Sequence, residues 1–221
     1  MQNNFVQITR SYQAKSRWED IAKQIAGGNN GYLNVGDSIS CTLKDGTEVV
    51  FDVLAINPYQ PDSIALGIRD IHWEHRWNEE NTNAGGWRDC EMRKYFNEEL
   101  LALFPDDLVA AITPRKIVQR IRGTEYESLD KLWALSYTEI FGADRGTDRT
   151  GDVGDIQFEF FQNKKNRVKF FKGEPYYHAT RSPDAANSTY FWYVYLYGYM
   201  SNLFHAYSSH GVCPCFIISK P

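Results

Sequence analysis

Between Ser188 and Tyr199 the chain reads STYFWYVYLYGY, an uncharged run in which aromatic residues recur at every second position. Read as a strand, with its two-residue period, the run sends Trp192, Val194, Leu196 and Gly198 to one face and Tyr193, Tyr195, Tyr197 and Tyr199 to the other. The first face suits a core. The second lines up four phenol rings, each about 6.8 Å from the next. Burying four tyrosines together requires four hydroxyl partners, whereas exposing them makes an amphipathic patch of the kind that marks an interaction site. The alternation therefore predicts Trp192, Val194 and Leu196 inside and the four tyrosines largely outside.

The clustering extends past the run. Of 14 tyrosines, six stand at positions 190, 193, 195, 197, 199 and 207. Tyrosine offers large contact area at low conformational-entropy cost, and binding loops mix it with Ser and Asn. Ser201, Asn202, Leu203, Phe204, His205, Tyr207, Ser208 and His210 continue that mixture. The candidate ligand-binding residues are Tyr190, Tyr193, Tyr195, Tyr197, Tyr199, Ser201, Asn202, Leu203, Phe204, His205, Tyr207 and His210.

With 221 residues, 43% hydrophobic and 24% charged, the chain suits one large domain, or one domain with a small extension, and disorder over its whole length is not expected. A net charge of -4 gives no electrostatic reason to expect nucleic acid as the main partner. No run of about 18 apolar residues suggests a membrane span. The start, MQNNFVQITRSYQ, shows no signal peptide, which leaves the localisation unassigned. Cys41, Cys90, Cys213 and Cys215 lack paired C-x-x-C spacing and read as buried thiols. In a strand Cys213 and Cys215 would lie about 6.8 Å apart on one face, near the upper limit of disulfide geometry, so a mutual bridge is not expected.

Along the chain, Ser16 and Glu19 form a capping box for a helix whose buried face is Trp18, Ile21, Ala22 and Ile25, stopped by Gly27-Gly28. Asp37 to Leu43 and Thr47 to Ile56 read as strands joined by a hairpin at Asp45-Gly46, and Ser63 to Asp70 as another. A second helix begins near Asp89, buries Met92, Tyr95, Phe96, Leu100 and Leu103, and ends at Pro105; a shorter one covers Asp106 to Ala111. Lys116 to Arg122 and Lys131 to Leu135 suggest strands, the latter running into a turn at Ser136. Gly142 to Asp155 reads as a loop. The expected organisation is an N-terminal helix and lead-in over residues 1–30, followed by one α+β domain over 31–221.

The run HATRSPDAANSTYFWYVYLYGYMSNLFHAYSSHGVCPCFII resembles the C-terminal variable region of proteins diversified by retroelements. In that family a fixed motif, matched here by Arg181-Ser182-Pro183, precedes a patch whose codons mutate at adenines, and a fixed strand, matched by Gly211 to Phe216, closes it. Asparagine-type codons yield Tyr, Ser, His, Asp, Phe or Leu by adenine changes, and residues 190 to 210 draw largely on that set. Phe191, Val194, Gly198 and Ala206 would be the scaffold between the variable positions, and the variable segment would span about 180–216. The upstream stretches GGWRDCEMRKYFNEELLALFP and LDKLWALSYTEIFG resemble an uncharacterised domain of gut bacterial and phage proteins, so that the likeness covers roughly Gly31 to Ile218. The resemblance implies a C-type lectin-like α+β fold that binds a protein or glycan on a cell surface, either as a phage receptor-binding protein or by bacterial surface display, without an enzymatic role or a cofactor. A phage particle, or the cytoplasm before assembly, are the localisations it suggests. The alternatives are a structural or assembly protein with one fixed partner, and an oxidase of the formylglycine-generating type, whose cysteine pair Cys213 and Cys215 are too closely spaced to resemble.

Other fragments are weaker. His72 and His75 stand at HxxH spacing near Glu79 and Glu80, but a metal site needs three or four converging ligands. Asp144, Asp148, Asp152 and Asp155 miss the spacing of a calcium loop and read as solvated. The basic runs Arg115, Lys116, Arg120, Arg122 and Lys164, Lys165, Arg167, Lys169, Lys172 read as solvated strand faces. No phosphate loop, G-x-S-x-G or H-E-x-x-H motif gives catalysis a foothold.

Overall fold

The turn dipeptide Asp45-Gly46 does what its chemistry requires. Gly46 takes a φ of 87°, and strands Ser38–Thr42 and Glu48–Ile56 pair antiparallel across it. The computed structural model describes residues 11–13, 18–28, 33–143 and 147–220. Over these the chain is a mixed α+β structure, mostly of antiparallel strands with a few short helices.

The main sheet runs in the order Ser11–Gln13, Ser38–Thr42, Glu48–Ile56, Ser63–Ile68, Pro214–Ser219, Ile112–Thr113, with Trp133–Ala134 also paired to Pro214–Ser219. Every residue of Pro214–Ser219 is buried, so this strand reads as a continuous apolar run, as strands covered on both faces do. Phe51, Phe104 and Phe216 meet edge-on or tilted at 5.0–6.0 Å. Helix Trp18–Ala26 lays Trp18, Ile21 and Ile25 on this core, with the Trp18 ring 6.1 Å from Phe51 and 6.4 Å from Phe216. The expected helix is therefore seated in the domain's own core. Its capping residue Ser16 lies outside the described residues.

The second helix is more broken than its sequence suggests. It opens as a turn over Gly86–Asp89, breaks at extended Cys90 (ψ 137°), and resumes at Glu91–Lys94. It then widens into a π-helical turn over Tyr95–Leu100 and ends in a 3-10 turn, Leu101–Leu103. Met92, Phe96 and Leu100, spaced by four, are fully buried, a spacing that a widened turn keeps on one side.

Strand Arg115–Ile121 pairs with Thr124–Asp130, which the sequence reading missed. The missed strand is an edge with a mostly exposed, polar pattern, so it has no apolar period to read. Lys131 to Leu135 supplies only the two-residue strand Trp133–Ala134. Ser136 does not make a turn: it caps helix Tyr137–Phe141, accepting from Glu139 N at 3.0 Å while its own N–H donates to Glu139 Oε2 at 2.7 Å. The expected loop from Gly142 holds a helical turn, Thr147–Thr150, and a short strand, Asp152–Val153.

A five-stranded sheet forms the other layer, in the order Met200–His205, Tyr190–Val194, His178–Pro183, Ser209–Val212, Trp73–Arg76. Within it His178–Pro183 and Ser209–Val212 run parallel, with His178 opposite Gly211. No helix among the described residues is long and apolar enough to cross a membrane.

Candidate functional site

The tyrosine-rich run is not one strand. Its strand ends at Val194, the chain turns over 195–199, and Met200–His205 returns antiparallel, with Val194 opposite Met200. Tyr195 N–H donates to Tyr199 O at 2.6 Å and Gly198 N–H to Tyr195 O at 2.8 Å. Gly198 sits at φ 77°, and a Cβ there would lie 3.2 Å from Lys164 O and 3.3 Å from Arg167 Cβ. Left-handed backbone and a close neighbour both call for glycine. Gly198→Ala should accordingly cost about 1–2 kcal/mol, read as a shift of the urea midpoint; an unchanged midpoint would mean that the turn has another conformation.

The turn divides the tyrosines. Tyr197 and Tyr199 are each 68% exposed and Tyr207 is 50% exposed. Tyr190, Tyr195, Ser201, Phe204 and His205 are half-buried. Asn202 and Leu203 lie on the return strand, their side chains outside the described ones. The expectations for Tyr193 and His210 are overturned, since both are inside at 3% and 2% exposure, and Tyr195, expected largely exposed, is half-buried. Leu196, expected inside, is half-buried in the turn. The cause is that both faces of Tyr190–Val194 are covered. Trp192 packs edge-on against Tyr137 at 5.3 Å. On the other side Phe191 stacks on Trp77 at 5.2 Å, and Tyr193 lies over His210 at 5.4 Å and against Phe204 at 4.6 Å. Burial of His210 pushes its pKa down to about 4, so the neutral ring packs as an aromatic.

The half-buried members tie the exposed ones to this layer. Tyr177 meets Tyr195 at 5.2 Å and Phe204 at 5.5 Å, and Tyr195 meets Tyr197 at 5.8 Å. On the far side Tyr190 contacts His205 at 4.8 Å, and His205 stacks on Tyr207 at 5.2 Å. Tyr177 and Trp77 were not among the expected residues. The adjacent pair Tyr176-Tyr177, just before HATRSP, was the signal that could have found the first. Phe191, Val194, Gly198 and Ala206, the expected scaffold positions, are all buried.

Below the hairpin lies a buried charge cluster. Arg181, 1% exposed, donates to Glu139 Oε2 at 2.5 Å and to Asp155 Oδ2. Arg115 donates to Glu139 Oε1 and Asp155 Oδ1, both at 2.5 Å, and lies 3.6 Å over the Tyr59 ring. Ser182 Oγ donates to Asp152 at 2.5 Å and accepts from Tyr137 N at 2.8 Å. Burial works against the charge of Glu139, yet the two guanidiniums hold its pKa down at about 2. Burial and the neighbouring Asp155 raise Asp152 to about 7. Asp152, Asp155, Arg115 and Lys169 are thus buried members of stretches that had read as solvated; ion pairing offsets the desolvation of Asp155 and Arg115, Lys169 donates to Ile68 O at 2.7 Å, and Asp152 accepts from Ser182 and Gln119. Lys116, Arg120, Arg122, Lys164, Lys165 and Lys172 are exposed as expected. Asp144 and the side chain of Asp148 lie outside the described residues.

The remaining candidates hold less. His75 stacks on Tyr95 at 4.4 Å, and among the described residues no three His, Cys, Asp or Glu side chains converge as a metal site would. All four cysteines are buried free thiols, with burial pushing Cys41 up to about 11 and Cys90 and Cys213 to about 12, which suppresses the nucleophilic thiolate.

Residues 62–220 match the family Domain of unknown function (DUF6273). No curated protein and no solved structure matches the chain.

Proposed function

The chain belongs to the DUF6273 family, and from that premise we propose that it is a ligand-binding protein whose hairpin, residues 190–205 with Tyr207, is a recognition surface. One observation carries the reading: large aromatic side chains stand exposed at a hairpin tip whose base is locked by buried aromatics. Tyr197 and Tyr199 at 68% are an unusual outlay of apolar surface unless something covers them. We propose further that the fold is C-type lectin-like and that the surface is the variable patch of a retroelement-diversified protein, displayed to a protein or glycan on a cell surface. The burial of the four scaffold positions and of Arg181-Ser182 supports this division of labour. It has no enzymatic role in this reading.

The test exchanges the exposed side chains at 197, 199 and 207 for an unrelated set. Melting should change little, because exposed substitutions usually stay within about 0.5 kcal/mol each, while binding to cell-surface extracts should change partner. Tyr197→Ala alone should weaken native binding by about 2 kcal/mol, roughly thirtyfold, as central aromatic anchors do. An exchanged protein that unfolds, or that keeps its partner and affinity, overturns the reading. A near-repeat of the codons for 180–216 that differs at adenines, beside a reverse transcriptase gene, would bear on the diversification directly.

A further inference from the structure

The tyrosine tip is not isolated on the surface. Gly198 lies close to the segment 164–168, where a Cβ on it would come within 3.2–3.4 Å of Lys164 O, Arg167 Cβ and Val168 Cγ2, so Tyr197 and Tyr199 flank a point where the hairpin backbone meets a basic segment. Lys164 and Lys165 are exposed. Among the described residues neither has a carboxylate within ion-pair distance, whereas Lys116, Arg120, Arg88 and Lys44 all do. Two neighbouring ammonium groups without counter-charge repel each other and attract an anion.

From this junction a cleft of about 360 Å³ leads away, lined among others by Lys165, Asn166, Arg69 and Phe170. Phe170 is 42% exposed, an aromatic ring offered to the cleft's occupant. The cleft also carries Asp52 and Asp70; Asp52 is engaged by Arg69 at 2.6 Å and by Ser38 at 2.9 Å. Segment 164–168 links the two places: the Gly198 turn lies against Lys164 and Val168, and Lys165 and Val168 line the cleft, which makes a track rather than a compact pocket.

We propose that this track binds a linear acidic polysaccharide, with Tyr197, Tyr199 and Phe170 against sugar faces and Lys164 and Lys165 on its carboxylate or sulfate groups. The proposal rests on the hairpin being a recognition surface and names its ligand class. A folded protein partner fits less well. Lysine is depleted from protein interface cores, since its strongly hydrated ammonium resists desolvation. A solvated polymer leaves it hydrated while satisfying its charge.

The full chain is titrated calorimetrically with polygalacturonate, hyaluronate and heparin, with neutral dextran and poly-L-glutamate alongside. At least one acidic polysaccharide should bind, dextran should not, and affinity should fall at least tenfold between 50 and about 500 mM salt as surface charge is screened. K164A/K165A and, separately, Y197S/Y199S should each weaken binding at least tenfold with melting unchanged, and F170S should weaken it less. Absence of binding to all three acidic polysaccharides overturns the ligand class. So does binding of poly-L-glutamate with equal affinity, or polysaccharide binding indifferent to Y197S/Y199S. Should these fail while the hairpin exchange still redirects binding to surface extracts, only the ligand class falls. Should the exchange leave binding to extracts untouched, the recognition surface itself falls.

Discussion

Replacing Arg181 with methionine should destabilise the protein by about 3–5 kcal/mol, as removal of one partner from a buried ion pair does. Arg181 holds Glu139 and Asp155, and those two carboxylates would then share the single guanidinium of Arg115. The damage should not stop at the cluster. The strand that carries Arg181 pairs with Tyr190–Val194, so the display hairpin should loosen with it. Urea unfolding measures the first effect. Hydrogen exchange at the amides of Tyr190–Val194 measures the second, with faster exchange expected there than along Glu48–Ile56. A loss below about 1 kcal/mol would mean that the cluster is dispensable. Replacing Asp155 by asparagine in the Arg181→Met background should recover part of the loss, since it removes a charge that the arginine no longer matches.

Acid should unfold the protein, and two histidines set the window. Burial holds His178 at about 3 and His210 at about 4, both below the usual 6.5. A depressed histidine gives stability that is present above its unfolded pKa and lost as pH falls toward the folded value, because the unfolded chain takes up the proton first. Between pH 6.5 and 4 each should remove on the order of 3 kcal/mol. Asp152 acts in the opposite sense. Its raised pKa of about 7 gives stability that is fully present below the unfolded carboxylate pKa and lost as pH rises through 7. His210→Phe, which preserves a ring between Tyr193 and Phe204, should therefore flatten the acid limb of a stability–pH curve, while Asp152→Asn should steepen it. If both variants trace the parent curve, the titrating groups are others. Among the described residues His210 faces His178, Trp77, Tyr177, Tyr193 and Phe204, and His178 also faces Lys169; none of these is a carboxylate that could stabilise the protonated rings.

What could be read from the residues divides along a physical line. The hairpin at Asp45-Gly46, helix Trp18–Ala26 and the buried strand Ser63–Ile68 were legible because each has a local signal: a turn dipeptide, a helical stripe, an apolar run. Thr124–Asp130 had no such signal, since a solvent-washed edge needs no alternation. The fate of each tyrosine was partly legible at best. Tyr193 and Tyr197 are alike in sequence context, and what separates them is Tyr177, Phe204 and His210 coming from elsewhere in the chain to cover one and not the other. Gly198 was the one local cue to the turn, and the alternation masked it. The charge cluster was out of reach altogether: Arg181 finds Glu139 and Asp155 at sequence separations of 42 and 26, and nothing local distinguishes those acids from solvated ones.

The parallel pairing of His178 with Gly211 bears on what the chain tolerates between them. It holds both ends of the intervening segment side by side by sheet hydrogen bonds outside the hairpin, so the closure of that segment is set by its anchors and not by its contents. Closure entropy grows only logarithmically with length, by about 0.6 kcal/mol per doubling. Lengthening the turn at 195–199 by a few residues should therefore cost little beyond the lost contacts of Gly198, and surfaces of different reach, not merely different composition, are open to this scaffold.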